Sequence, residues 1–118
     1  MIHPKKSLGQ NFLIDKNIIN KIVDLTTINN QNIIEIGPGK GALTNEIIIR
    51  KPNKLILIEK DKHIYNLLKK KFRQGNVQII NADALKYQFN DYKNYKIISN
   101  LPYNISTKLI IKILKLNT

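Results

Sequence analysis

A chain of 118 residues with 42% hydrophobic side chains can bury one core, and is short for a complete doubly wound sheet. It contains no cysteine, which excludes disulfides and thiolate metal centres, and His3 and His63 stand too far apart for a metal-ligand spacing, so no metal is expected. Twenty lysines and arginines against eight acidic residues give a net charge of +12, which suits a polyanionic partner, although lysine also solvates ordinary surface.

Residues 1–14 read as a basic, turn-prone arm without the apolar core of a signal peptide. No uninterrupted apolar run approaches a membrane span, so a cytoplasmic protein without a membrane partner is expected. Asp15 is placed to cap a helix in which Ile18, Ile19, Ile22 and Val23 recur on one face. A polar connection over 26–31 leads to an apolar strand at 33–36. Three glycines at alternate positions follow, Gly37, Gly39 and Gly41, then a helix over about 42–51 carried by Leu43, Ile47 and Ile48 and broken by Pro52. Residues 54–59 are nearly continuous in aliphatics, as in a strand covered on both faces. Asp61 caps a helix with Ile64, Leu67, Leu68 and Phe72 inward and Lys69, Lys70 and Lys71 in water. A third strand spans 77–80, a polar and aromatic stretch of short helix or loop fills 86–94, and a fourth strand spans 96–99. A last amphipathic helix is expected over about 106–116.

Strands alternating with helices at this spacing imply an α/β fold, a doubly wound, mostly parallel sheet with right-handed crossovers. Residues 1–14 form the arm and 15–118 the domain. Ligands in such sheets bind beyond the carboxyl ends of the strands, where the turns at 37–41, 59–61, 83–84 and 100–103 all fall. Glycines there allow positive φ and let a ligand lie against the backbone, and the following helix aims its N-terminal N–H groups into the same space.

Two ligands compete for that turn. Gly37-Pro38-Gly39-Lys40-Gly41-Ala42 satisfies the dinucleotide pattern G-x-G-x-x-A, with Glu59 at a suitable distance for ribose hydroxyls. Against a dinucleotide, the strand follows an arm and a helix instead of opening the domain. Glu35 before the first glycine also suits a ligand's ammonium group better than a pyrophosphate, and Asp83 at the end of the third strand is placed to accept from an adenine amine. Ribose, adenine and an ammonium group together describe S-adenosylmethionine.

The turn Asn100-Leu101-Pro102-Tyr103 points to the acceptor. Proline removes a backbone donor, leaving carbonyl oxygens for the site. The Asn100 side-chain oxygen and one such carbonyl would accept both hydrogens of an exocyclic amine and hold its nitrogen toward a sulfonium methyl. Tyr103 would stack on a base swung out of its helix or loop. No strong general base is needed, since the amine sheds its proton once methylation makes it cationic.

Gly9-Gln10-Asn11-Phe12-Leu13, Glu35-Ile36-Gly37-Pro38-Gly39-Lys40-Gly41, Asp83-Ala84 and Asn100-Leu101-Pro102-Tyr103-Asn104-Ile105-Ser106-Thr107 closely resemble, in matching order, the ribosomal RNA adenine dimethyltransferase family. The resemblance implies a Rossmann-like, S-adenosylmethionine-dependent methyltransferase fold and transfer of two methyl groups to N6 of adenines in small-subunit ribosomal RNA. It implies that Asn11 and Leu13 line the cofactor site from the arm, with Gly37, Glu59, Asp83 and Asn100 completing it. Lys5 and Lys6 are the candidates for RNA phosphate. Gly9, Pro38 and Leu101 favour the small-subunit branch over the macrolide-resistance branch that acts on large-subunit RNA. The implied partner is ribosomal RNA in the immature small subunit, and a monomer is expected. Family members are roughly twice as long by the same resemblance, with a C-terminal helical domain. The chain is therefore expected to be truncated after the fourth strand and its helix, with a hydrophobic sheet edge exposed. The alternative to an enzyme is a non-catalytic module that docks ribosomal RNA during assembly.

Overall fold

The computed structural model describes residues 16–101 and 108–113, with Ile18, Asn100, Leu101 and 108–113 described by their backbone. Helix α1, Lys16–Val23, precedes strand β1, Asn32–Ile36, and helix α2, Ala42–Ile49. Strand β2, Lys54–Glu59, helix α3, Lys62–Lys71, and strand β3, Val77–Asn81, follow. Strand β4, Lys96–Leu101, and strand β5, Lys108–Ile113, complete a five-stranded sheet in the order β3-β2-β1-β4-β5. The first four strands are parallel, as their alternation with long crossovers predicts.

Each face of the sheet buries its own core. Ile33, Leu55, Leu57 and Ile98 point to one side, where they pack with Ile19, Ile22 and Val23 of α1, Leu43 and Ile47 of α2, and Leu68 and Phe72 at the end of α3. Helical spacing marks the helix residues among these as inward in the sequence, but Leu67, expected inward with them, is 49% exposed because it lies on the solvent flank of α3. Ile34, Ile56, Ile58 and Ile97 point to the other side. That side is covered by the irregular segment 82–95, whose Tyr87, Phe89, Tyr92 and Tyr95 lie over the aliphatic strands. Aromatic rings cover a large area per residue, so a stretch with no regular structure can still cap a sheet.

The helix expected over 106–116 is not what the described residues show. Residues 108–113 form β5, antiparallel to β4, with Ser99 opposite Ile110 and Leu101 opposite Lys108. Lys-Leu-Ile-Ile-Lys-Ile satisfies helix and strand patterns over so short a span, and its three isoleucines favour the strand. β4 would otherwise present a row of unpaired backbone groups. A connection of six residues is too short for a crossover helix and can return the chain only as an antiparallel neighbour. β5 thus covers the edge of β4 and is itself the outermost strand on that side among the described residues. Helix α2 also stops short of the expected 51, because Arg50 caps it and Lys51 turns left-handed at φ 59 before Pro52.

Asp61 caps α3 as its sequence position predicts, its Oδ1 accepting from the Ile64 N–H at 3.0 Å. Asp61→Ala should lower stability by about 1 kcal/mol, read as a reduced urea midpoint with an unchanged m-value.

Candidate functional site

Strand register sets out the site before any side chain is considered. Ile36 pairs with Ile58 on one side and Ser99 on the other, so Gly37 stands level with Glu59 and Asn100. Glu59 in turn pairs with Asn81, two residues before Asp83. The glycine turn, Glu59 and the backbone of Asn100 therefore lie in one row along the carboxyl edge, with Asp83 two residues past the end of β3.

The turn itself has backbone geometry that calls for glycine. Gly37, Gly39 and Gly41 have φ of 70, 57 and 91°, and Gly41 forms the N-cap of α2. Gly37 N–H donates to the Ile58 carbonyl at 3.0 Å, extending the β1–β2 ladder one residue into the turn. A Cβ built on Gly39 would meet nothing within 4 Å, so the space over the middle of the loop is open. A Cβ on Gly41 would lie 2.7 Å from Cε2 of Phe72. The ring of Phe72, which caps the C-terminus of α3, pins the loop from behind, and Lys71 Nζ donates to the Lys40 carbonyl at 2.9 Å beside it.

Glu59 is buried, and its two oxygens are held unequally. Oε2 accepts the Asp61 N–H at 3.0 Å, while Oε1 accepts the Gly39 N–H at 3.4 Å, a long and weak bond that an incoming hydroxyl can displace. Asp83 is half-buried, with Oδ1 accepting the Leu85 N–H at 2.9 Å and Oδ2 3.8 Å from Lys60 Nζ, whose side chain is itself exposed. One oxygen of each carboxylate is thus fixed by backbone and the other is available to a ligand. That donor and acceptor set fits a nucleoside carrying a ribose diol and an exocyclic amine, above a loop with no side chain in the way.

Sequence reasoning missed three residues that hold this arrangement. Asn81 Nδ2 donates to the carbonyls of Glu59 and Lys60 at 2.9 and 3.0 Å, fixing the end of β2. Thr44, fully buried, donates to Glu35 Oε1 at 2.5 Å, and Phe72 packs against Gly41. A threonine inside the otherwise apolar inward face of α2 is the one visible signal among them. Glu35 lies between β1 and α2, 1% exposed, below the loop instead of on its open side. Lys5, Lys6, Asn11, Leu13, Pro102 and Tyr103 lie outside the described residues, and Asn100 and Leu101 are placed by their backbone at the end of β4. Among the described residues, no cluster of His, Asp or Glu could hold a metal ion, and no helix is long and apolar enough to cross a membrane.

A parallel sheet in this order with a glycine turn after its first strand belongs to the methyltransferase class of α/β folds. A crystal structure of a dimethyladenosine transferase from Plasmodium falciparum shares it at a TM-score of 0.63 and 29% identity, over 78% of this chain and 34% of that one. A 23S rRNA methyltransferase shares the fold at a TM-score of 0.58 and 19% identity, over 74% of this chain and 47% of the other. Residues 1–118 match the ribosomal RNA adenine dimethylase family, and the chain belongs to it. Ribosomal RNA small subunit methyltransferase A from Mycoplasmopsis pulmonis is 50% identical over 94% of this chain, and the protein of the same name from Pelagibacter ubique is 48% identical over 94%. The chain spans 44% and 43% of the length of those two relatives.

Burial pushes the Glu35 carboxyl up from 4.5 to about 7, against the Thr44 hydrogen bond and with help from the negative charge of Glu59. Below the unfolded value the group is neutral in both states. As pH rises toward the folded value, the unfolded chain releases the proton first and stability is lost. The full ionisation penalty, about 3 kcal/mol, is reached above the folded value. Glu35→Gln keeps an acceptor for Thr44, so its stability advantage over the parent should grow from about pH 5 to about pH 8 in urea denaturation and approach that figure. Gly41→Ala should destabilise by about 2 kcal/mol, from left-handed strain and the clash with Phe72. The Phe72→Leu background should recover part of that loss in thermal melting by relieving the clash.

Proposed function

We propose that the chain carries the cofactor-binding and methyl-acceptor edge of an S-adenosylmethionine-dependent enzyme that dimethylates N6 of adenines in small-subunit ribosomal RNA. The observation that carries this reading is the single row formed by Gly37, Glu59, Asn81 and Asn100, with Asp83 just beyond it, in a chain of the adenine dimethylase family. The names of the relatives, small-subunit enzymes about half-spanned by this chain, favour the small-subunit branch.

S-adenosylmethionine, when bound, supplies an electrophilic methyl on a sulfonium. Glu59 accepts the ribose hydroxyls through the oxygen that Gly39 holds weakly. Asp83 accepts the adenine amine through the oxygen facing Lys60, and Leu85, 94% exposed on the same turn, offers an aliphatic surface to the purine face. Gly37, Gly39 and Gly41 let the ligand approach the backbone, with Asn11 and Leu13 closing the site from the arm. Glu35 lies behind the loop, where a bound amino-acid ammonium would draw its raised carboxyl toward the charged form. Asn100 and the Leu101–Pro102 backbone accept the two amine hydrogens of the target adenine, and Tyr103 stacks on it. Lys5 and Lys6 take RNA phosphate. Catalysis is positioning of a neutral amine, whose proton goes to solvent after transfer.

Calorimetry with S-adenosylmethionine should show binding that Glu59→Ala or Asp83→Ala weakens at least about tenfold, the loss of one charged hydrogen bond. NAD should not bind. Tritiated methyl should enter immature small subunits, and Asn100→Ala should abolish incorporation while leaving particle binding intact. Salt-sensitive particle binding by the parent without incorporation would instead identify a docking module.

A further inference from the structure

At the opposite end of the sheet from the glycine loop lies an open groove of about 530 Å³, where β2 and β3 begin. Lys54, Ile56, Asn76 and Gln78 line one side, and Tyr92 and Tyr95 from the irregular segment line the other. Its volume falls in the range of small-molecule pockets, roughly 300–1,000 Å³. The six-residue length of β2 puts it about 16–20 Å from the carboxyl edge, too far to belong to the cofactor site.

The walls carry the three kinds of group that an unpaired nucleotide uses. Tyr92 is half-buried and rigidly set. Its hydroxyl shares a hydrogen bond with that of Tyr87 at 2.8 Å, the Tyr87 ring stacks along it at 6.1 Å between centroids, and the Tyr95 ring stands nearly perpendicular to it at 5.1 Å. The Tyr87 bond, with burial, pushes the Tyr92 phenol up to about 12. The exposed Gln78 amide makes no hydrogen bond among the described residues and offers both a donor and an acceptor. Asn76 uses its NH2 on the Pro52 carbonyl at 3.1 Å, which leaves its oxygen for a ligand. Lys54 is exposed at the rim. Lys54 is the charged residue in the groove's lining, and Lys51, Arg73 and Lys93 stand near it in the chain against Asp91, while Lys96 turns away to the Thr27 carbonyl. That charge favours a polyanion over a peptide as occupant.

We propose that this groove takes one unpaired base of the substrate RNA, stacked on Tyr92 and read along its edge by Gln78, with Lys54 on the adjoining phosphate. The proposal rests on the RNA reading above, and it gives the domain a second grip on single-stranded RNA at the far end of the sheet. Stacking on an aromatic side chain is the sequence-tolerant mode of single-strand binding, and its removal costs about tenfold in affinity per base.

The test measures fluorescence anisotropy of this chain with a short labelled single-stranded RNA and with the same sequence as a duplex, alongside calorimetry with S-adenosylmethionine. Tyr92→Ala should weaken single-strand binding about tenfold, Tyr92→Phe should leave it within about twofold, and cofactor affinity should be unchanged by both. Lys54→Ala should lower the salt dependence by about one ionic contact. A folded Tyr92→Ala that binds single strands as the parent does overturns the proposal. Should that variant fail to fold, the double variant Lys54→Ala, Gln78→Ala, altered only at exposed positions, decides: several-fold weakening supports the groove and an unchanged affinity overturns it. Photocrosslinks from 4-thiouridine RNA should map to the peptide containing Tyr92, and crosslinks confined to other peptides overturn it. Groove-dependent RNA binding without cofactor binding would sink the methyltransferase reading and leave the groove standing. Cofactor and RNA binding without any groove dependence would do the reverse.

Discussion

The contact between Gly41 and the ring of Phe72 fixes the site. Because a Cβ on Gly41 would stand 2.7 Å from that ring, the loop after β1 rests directly on the end of α3. The glycine loop takes its height from that seat, above a row of strand ends set by register. Gly39 is held within reach of Glu59, α2 starts where Thr44 meets Glu35, and Lys71 meets the loop carbonyl at Lys40. A close approach of backbone to aromatic carbon is stiff in one direction and needs no hydrogen bond to be so, since packed interiors resist compression. It leaves the outer side of the loop bare for a ligand.

Polar groups along this edge divide into those that build and those that wait. Asn81 spends both its amide hydrogens on the carbonyls of Glu59 and Lys60, and Asp61 gives its N–H to one oxygen of Glu59. The other oxygen has only a stretched bond to lose. Asp83 repeats the arrangement, with one oxygen committed to its own turn and one facing a solvated lysine. A ligand bound here would exchange weak contacts for stronger ones without disturbing the fixed half of each carboxylate, so that half would carry no reordering penalty.

Most of the parallel sheet was legible because its signals are redundant. Aliphatic runs at 33–36 and 54–59, the glycines between strand and helix, and the Asp61 cap each point to the same architecture. Strand β3 and the carboxyl-edge positions of Glu59 and Asp83 followed from spacing alone. What could not be read depends on who the neighbours are. Residues 108–113 fit either helix or strand, and the free edge of β4 chose between them. Thr44, Asn81 and Phe72 gain their roles from partners 9, 22 and 31 residues away, a relation no local pattern contains. The capping of one face by Tyr87, Phe89, Tyr92 and Tyr95 was likewise hidden, because rings in an irregular segment have no period to reveal which way they point.

The strand order carries a consequence for how the chain is made. β1 sits between β2, which follows it after one helix, and β4, which is synthesised about sixty residues later. During translation the β1-β2-β3 half can assemble first, with the β4-facing side of its oldest strand bare until residues 96–101 leave the ribosome. That interval is a window of stickiness in the nascent polypeptide. Its length is set by the tyrosine-rich stretch, so lengthening or stalling translation there would raise the demand for chaperone cover without touching the finished protein.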